Sequence, residues 1–392
     1  MTYQAIFVAS VFLLLAFGME RMSRIVGVPS VVVLIATGLI GKPVLAALDV
    51  SLAGIDEAVP VLGTVGLVLI VLEGALDIEL RRERLRAAAG AFVMATAGFV
   101  VCTAAFASLV AFVLPLSIFQ ATILAVPFAV ISSAVAIPSS GFLPQHGREF
   151  VLYESSVSDI LGVMFFFALL HSDGSAIGIL TALAGGGIIS LVLAVLCAIG
   201  LTLIMLRIDG HIRFIPLLAG MFGLYAAGKL LHLSPLIMIV LLGLALNNPT
   251  LITRLRPFRH LLDDRYEATL DEFKLLTKEL TFAVRGFFFI LLGCWTDLST
   301  LISIEAWVAA GVVLLVIYVS RYVILRLACL ELIDRLIWLA PRGLITVLLF
   351  LPAKEAMSLP AYVDGAVMLV VLISSSLTTV GRLRWDRLST AG

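Results

Sequence analysis

Charge is scarce in this chain: Lys and Arg number 26 against 26 Asp and Glu, so charged residues make up 13% of 392 and the net charge is zero, while 61% of the chain is hydrophobic. A soluble domain of this length does not need so many apolar runs, and the chain reads as a polytopic membrane protein with no nucleic-acid partner expected. Cysteine is scarce as well. Cys102, Cys197, Cys294 and Cys329 stand singly in apolar runs without CxxC spacing, which excludes a disulfide framework and reads as four small buried hydrophobes. His146, His171, His211, His232 and His260 fall at or near the ends of apolar runs with no HxxxH spacing, so no metal centre is expected from them. No Walker, dinucleotide-binding or nucleophile-elbow motif sits on a suitable frame, which argues against a nucleotide partner, a cofactor or nucleotide-driven pumping. An intramembrane enzyme would need an activated nucleophile, and no His or Cys lies near the serines of the central helix. The first apolar run, Ile6 to Gly18, has no basic residue ahead of it and no clear cleavage site, so it is expected to stay as a first helix.

What the chain has in abundance is apolar length. Runs of about 20 residues give thirteen spans, from Tyr3 to Met19 at the start to Tyr362 to Val380 at the end. The fifth is Phe119 to Ile137, the sixth Val151 to Leu170, the seventh Thr181 to Leu206 and the twelfth Leu336 to Leu351. Arginines follow each odd-numbered span, whereas the alternate connections hold only Lys42, Lys229 and Lys354. Basic loops stay inside, so the odd loops and the C-terminus are expected in the cytoplasm and the N-terminus outside. Leu251 to Glu267 mixes apolar residues with arginines and suits a helix lying against lipid headgroups.

Thirteen divides as six, one and six, the arrangement of inverted-repeat transporters. The expectation is one membrane domain over residues 1–392, with a first repeat in 1–170, a linker helix in 171–210 and a second repeat in 211–392. Helix breakers fall in matching spans of the two halves: Pro138 and Gly141 end the fifth, and Pro341, Gly343 and Pro352 interrupt the twelfth. Such paired breaks point to a site near the bilayer midplane.

The sixth span, VLYESSVSDILGVMFFFALL, organises the rest. It carries Glu154 and Asp159 at membrane depth, where a charge costs roughly 2.5 to 3.5 kcal/mol on insertion scales and is kept mainly for function. Ser155 and Asp159 share a helix face, Glu154 and Ser158 share a neighbouring one, and the two acids point about 140° apart. One helix can therefore offer Asp159 to a pathway and Glu154 to a structural partner. Arg285 and Arg342 lie in the tenth and twelfth spans, and a buried arginine needs an anion or a wet cavity. Glu154 is the expected answer to one of them, and would be held charged by it, leaving Asp159 free to change state.

These residues resemble a family. Glu154 to Asp159 is similar to the ES-x-x-ND motif of monovalent cation:proton antiporters, the NhaP and sodium/proton exchanger branch. LEGALD at Leu72 to Asp77, VRGFFFILLG at Val284 to Gly293 and PRGLITV at Pro341 to Val347 resemble three further segments of that family, in the same order. The resemblance implies an all-α polytopic membrane protein with two inverted six-helix repeats and crossed broken helices, assembled as a homodimer in lipid, in the inner membrane of a bacterium. It further implies elevator-type alternating access, with Asp159 as the carboxylate shared by cation and proton, Ser155 as a cation ligand and Ser132 completing the shell. Glu154 would be the structural acid held by Arg342 or Arg285. Two positions depart from the pattern. The family's Asn is Ser158 here, and its TDP is Ser132, Ser133 and Ala134, nearer the SST of potassium-efflux relatives.

The function expected is competition at one oxygen site: burial penalises a bare carboxylate, so a proton and a small hard cation, Na+ first and Li+ or K+ behind it, displace each other. One responsive carboxylate implies one cation per proton, hence electroneutral exchange. The alternative is an inverted-repeat carrier of another substrate, such as a sodium-coupled organic anion, with Arg342 greeting that anion in place of Glu154.

Overall fold

The computed structural model describes residues 2–47, 55–78, 85–170, 172, 174–175, 177–179, 192–201, 214–231, 235–248, 264–328 and 332–390. Among them there is no β-strand, as expected of backbone that must satisfy its own amides inside lipid. The chain is an all-α membrane protein. The expected linker span, Thr181 to Leu206, and the amphipathic stretch from Leu251 lie mostly outside the described residues.

The helices gather into two compact units. The first comprises Met1–Gly66, Ala89–Gly162 and Phe282–Gly392; the second comprises Leu67–Ala88 and Val163–Thr281. In chain order the helices are α1 Thr2–Val26, α2 Ser30–Ala47, α3 Ile55–Leu76, α4 Leu85–Val113, α5 Ile118–Ala129, α6 Ser133–Ser139, α7 Gln145–Leu170 and α8 Val192–Leu201. They continue as α9 Phe214–Leu230, α10 Pro235–Asn247, α11 Asp264–Trp295, α12 Leu298–Ile302, α13 Ile304–Leu327, α14 Ile333–Leu336, α15 Leu344–Glu355 and α16 Tyr362–Thr390. Five described stretches are long and apolar enough to cross a membrane: Ala89–Val113, Ile118–Phe142, Gln145–Leu170, Ile304–Leu327 and Tyr362–Trp385.

Local chemistry sets several boundaries. Ser117 and Gln120 form a reciprocal cap at the start of α5, Ser117 Oγ accepting from the Gln120 amide at 3.2 Å and Gln120 Oε1 from the Ser117 amide at 3.1 Å. Ser303 caps α13 from one side only, its Oγ accepting from Ala306 N–H at 3.2 Å. In the second unit, Asn247 and Asn248 donate to Ile78 O at 2.9 and 3.0 Å, so the end of α10 ties down the turn after α3.

In the first unit the core is built around two interrupted helices. α5 is buried along nearly its whole inner length, from Ala121 and Ile123 through Ala129. Met94, Ala136, Leu143, Val151, Ile324, Leu325, Leu336 and Leu339 make one apolar cluster. Burial of such side chains stabilises by roughly 1.5 to 3 kcal/mol each against exposure to water. Within a bilayer the driving force is close packing instead, because lipid tails are as apolar as leucine.

Candidate functional site

The interruption of the fifth span lies at Val130 to Ser132, between α5 and α6, and not at the breakers Pro138 and Gly141, which sit inside α6 and the turn after it. The reason is tertiary. Three successive amides leave the helical pattern because acceptors elsewhere take them: Ile131 N–H donates to Ser158 Oγ at 3.0 Å, Ser132 N–H to Pro341 O at 2.9 Å and Ser133 N–H to Asp159 Oδ2 at 3.2 Å. A buried amide must find a partner, so the break persists without proline or glycine within it.

The second interruption, from Leu339 to Gly343, contains Pro341 and Gly343 as the sequence led one to expect, whereas Pro352, the third expected breaker, lies within α15 without interrupting it. Here α16 supplies the partners. Arg342 N–H donates to Ser374 Oγ at 2.9 Å, and Ser375 Oγ–H donates back to Arg342 O at 3.1 Å. The two breaks touch closely enough to exclude a side chain at Gly343, where an added Cβ would stand 2.5 Å from Ser132 Oγ. Gly162 does the same for α7, since a Cβ there would meet Val130 Cγ2 at 2.1 Å.

Asp159 is held against this junction. Its residue is 6% exposed. Oδ2 accepts from both the amide and the hydroxyl of Ser133, the latter at 2.5 Å. Oδ1 is buried and has no hydrogen-bond partner among the described residues. One oxygen is thus fixed and the other keeps its accepting capacity, in a place where an orphaned acceptor is costly.

The other expected ligands are near this junction but are not bonded to Asp159. Ser155 Oγ–H donates to Val151 O of its own helix at 2.7 Å, Ser158 Oγ receives the Ile131 amide, and Ser132 is engaged through its backbone. Ser133 is the residue brought into direct contact with the acid.

Glu154 requires a correction. Its partner is Arg321 on α13, with Nη1 to Oε1 and Nη2 to Oε2 both at 3.0 Å, in place of Arg342 or Arg285. The pair is almost fully buried, at 7% and 4% side-chain exposure, and Arg321 Nε donates to Leu336 O at 2.8 Å. The expected partners are occupied or distant. Arg342 turns to Phe128 O and Ala340 O, and Arg285 lies half-buried on α11 without an ion pair to Glu154 among the described residues. Arg321 was legible as the guanidinium nearer the middle of the apolar run VVLLVIYVSRYVILRL, whose other arginine, Arg326, is next to its end, and Ser374 and Ser375 as serines in the middle of an apolar span. Among the described residues no three His, Cys, Asp or Glu side chains group as a metal centre, so a cation at Asp159 would have to draw on hydroxyl and carbonyl oxygens.

No curated protein matches the chain. Two solved structures of the sodium proton antiporter MjNhaP1 from Methanocaldococcus jannaschii share its fold. The structure at pH 8 superposes with a TM-score of 0.74 at 20% identity, covering 98% of this chain and 97% of that one. The electron-microscopy structure gives 0.74 at 19% identity, covering 99% and 97%. A family model described as sodium/hydrogen exchanger, transmembrane, matches residues 8–384. By that match over nearly its whole length, the chain belongs to the sodium/hydrogen exchanger family of monovalent cation:proton antiporters, which are membrane transporters and not enzymes.

Proposed function

We propose that the chain exchanges Na+ for H+ by alternating access at Asp159, with Li+ or K+ as weaker substitutes. The observation that carries this reading is the asymmetry of the Asp159 carboxylate: Oδ2 is clamped by Ser133 and Oδ1 is buried without a partner among the described residues. A proton or a desolvated cation completes that oxygen, and the two exclude each other because both neutralise the same charge. Ser155, Ser132 and Ser158 are the nearby oxygens through which the cation would replace its water. Exchange follows if the two loaded forms cross and the bare carboxylate does not.

Glu154 stays out of the cycle because Arg321 engages both of its oxygens. One responsive acid makes the exchange one cation per proton and electroneutral. The remaining architecture we assign to this function is thirteen spans, inverted repeats over 1–170 and 211–392 joined by the linker in 171–210, and a homodimer. The C-terminus is assigned to the cytoplasm of a bacterial cell.

Reconstituted vesicles with a preset pH gradient test the reading. Addition of Na+ alone should collapse the gradient with the parent protein and leave it intact with Asp159→Asn, while Ser155→Ala should shift the apparent cation affinity. Exchange at the parental rate in Asp159→Asn would overturn the site. A current that reverses with membrane potential at balanced gradients would overturn the stoichiometry.

A further inference from the structure

Three arginines lie well inside apolar helices, and they end differently. Arg321 meets both oxygens of Glu154, and Arg342 meets two carbonyls. Arg285 is half-buried and has neither an ion pair nor a hydrogen bond among the described residues.

Its depth makes that arrangement informative. α11 is one unbroken helix from Asp264 to Trp295, so Arg285 stands ten residues short of the exposed indole that ends it. At about 1.5 Å per residue that is about 15 Å, the middle of a hydrocarbon core about 30 Å thick and too deep for the side chain to snorkel to the headgroups. Asp159 stands eleven residues, or about 16 Å, from the end of α7 at Leu170, the same depth by the same count. Arginine cannot shed its proton, and a charge in lipid at that depth is costly, so the exposed part of Arg285 faces water.

The helix itself marks the course of that water. Lys278, two turns earlier on the same face, is 48% exposed along its side chain and pairs with Asp77 at 3.1 Å. Between them Thr281 has a buried hydroxyl without a partner among the described residues. One turn beyond Arg285, Phe288 borders Gly63, and so does Leu348 of α15, five residues after the Gly343 that abuts Ser132. The wet face of α11 thus climbs from an exposed lysine to the level of Asp159, beside the second broken helix.

We propose that Arg285 stands in the aqueous route to Asp159 and acts there as a valence filter. It is a fixed positive charge that every entering cation must approach, and it weighs twice as heavily on a divalent ion as on Na+. Arg285 binds neither the cation nor the proton; it sets which cations load the carboxylate and at what concentration. The proposal rests on Asp159 as the exchange site.

Cysteine substitution tests it. In reconstituted vesicles Arg285→Cys should take up one membrane-impermeant cationic methanethiosulfonate more than the parent, whose own cysteines set the baseline. At alkaline pH, where protons compete least, Na+ should half-saturate exchange in Arg285→Cys at a concentration roughly two- to tenfold below the parent's, as for unit charges about 10 Å apart at dielectric values between protein and water. The Ca2+ concentration that half-inhibits exchange should fall by the square of that factor. Attaching the cationic reagent should restore both parental values, and an anionic sulfonate reagent should lower them further. Should Arg285→Cys fail to fold, Arg285→Lys should keep the parental values and Arg285→Gln should lose them. No extra label, the same shift with either reagent, or equal values in the Lys and Gln variants overturns the filter. The labelling reads Arg285 whether or not exchange occurs, so its failure is separate from retained exchange in Asp159→Asn, which overturns the site beneath the proposal.

Discussion

Glu154 and Asp159 sit five residues apart on one helix, both buried, and their surroundings divide them into two kinds of acid. Glu154 meets a guanidinium that engages both oxygens, and each partner is nearly inaccessible. Asp159 meets one serine through one oxygen and keeps the other open. A carboxylate matched to a fixed cation gains nothing from a proton or a metal ion, whereas one with an unsatisfied oxygen gains from either. The helix therefore separates holding from exchanging by direction alone: residues five apart point to opposite sides and meet different neighbours.

The contrast can be broken most forcefully on the Glu154 side. Arg321→Gln should leave a buried, unanswered carboxylate at a cost of about 3–5 kcal/mol, and the yield of monodisperse protein and its unfolding midpoint should both fall sharply. Replacing both partners together, as Glu154→Leu with Arg321→Met, should recover more of the fold than either single change, because a buried pair exchanged for apolar groups is often neutral. A double-mutant cycle on the midpoints reads this out directly. Next in size comes Asp159→Asn, which should abolish vesicle exchange while leaving the midpoint near that of the parent, the reverse of the Arg321 result. Ser133→Ala removes one of the two bonds on Oδ2; a hydrogen bond to a charged group contributes about 1.5–3 kcal/mol, so the apparent cation affinity should move by at least about tenfold with the fold retained. The smallest effect belongs to Lys354 and Asp364, an ion pair at 2.6 Å whose side chains are 39% and 34% exposed. Lys354→Ala should change the midpoint by less than about 1 kcal/mol of stability, showing that burial and not pairing makes Arg321 indispensable.

The two helix breaks explain how far the site could be read beforehand. The second was legible because its cause is local: Pro341 has no amide to give and Gly343 has no side chain to collide with Ser132. The first was expected several residues too late, at Pro138 and Gly141, because its cause lies in other segments. Ser158, Pro341 and Asp159 take the amides of Ile131, Ser132 and Ser133, and none of the three acceptors is near in sequence. Helical spacing on the sixth span separated Glu154 from Asp159 but could not name the arginine, since Arg321, Arg342 and Arg285 all lie in apolar runs and only packing brings one of them to Glu154. The serines Ser374 and Ser375 escaped notice for the same reason. Their task is to bond the backbone of Arg342, and nothing in their own span announces it.

The bond from the Ser132 amide to the Pro341 carbonyl has a consequence for how the chain is made. Synthesis delivers Ser132 and Glu154 to the membrane long before Pro341 and Arg321 leave the ribosome. Until then the early segment carries an amide with no acceptor and an acid with no counterion, neither of which oil tolerates. The nascent half has to keep these groups wetted or shielded, and the junction closes only when the last third of the polypeptide arrives, so release of a prematurely shortened chain should yield material for degradation and not a partial carrier.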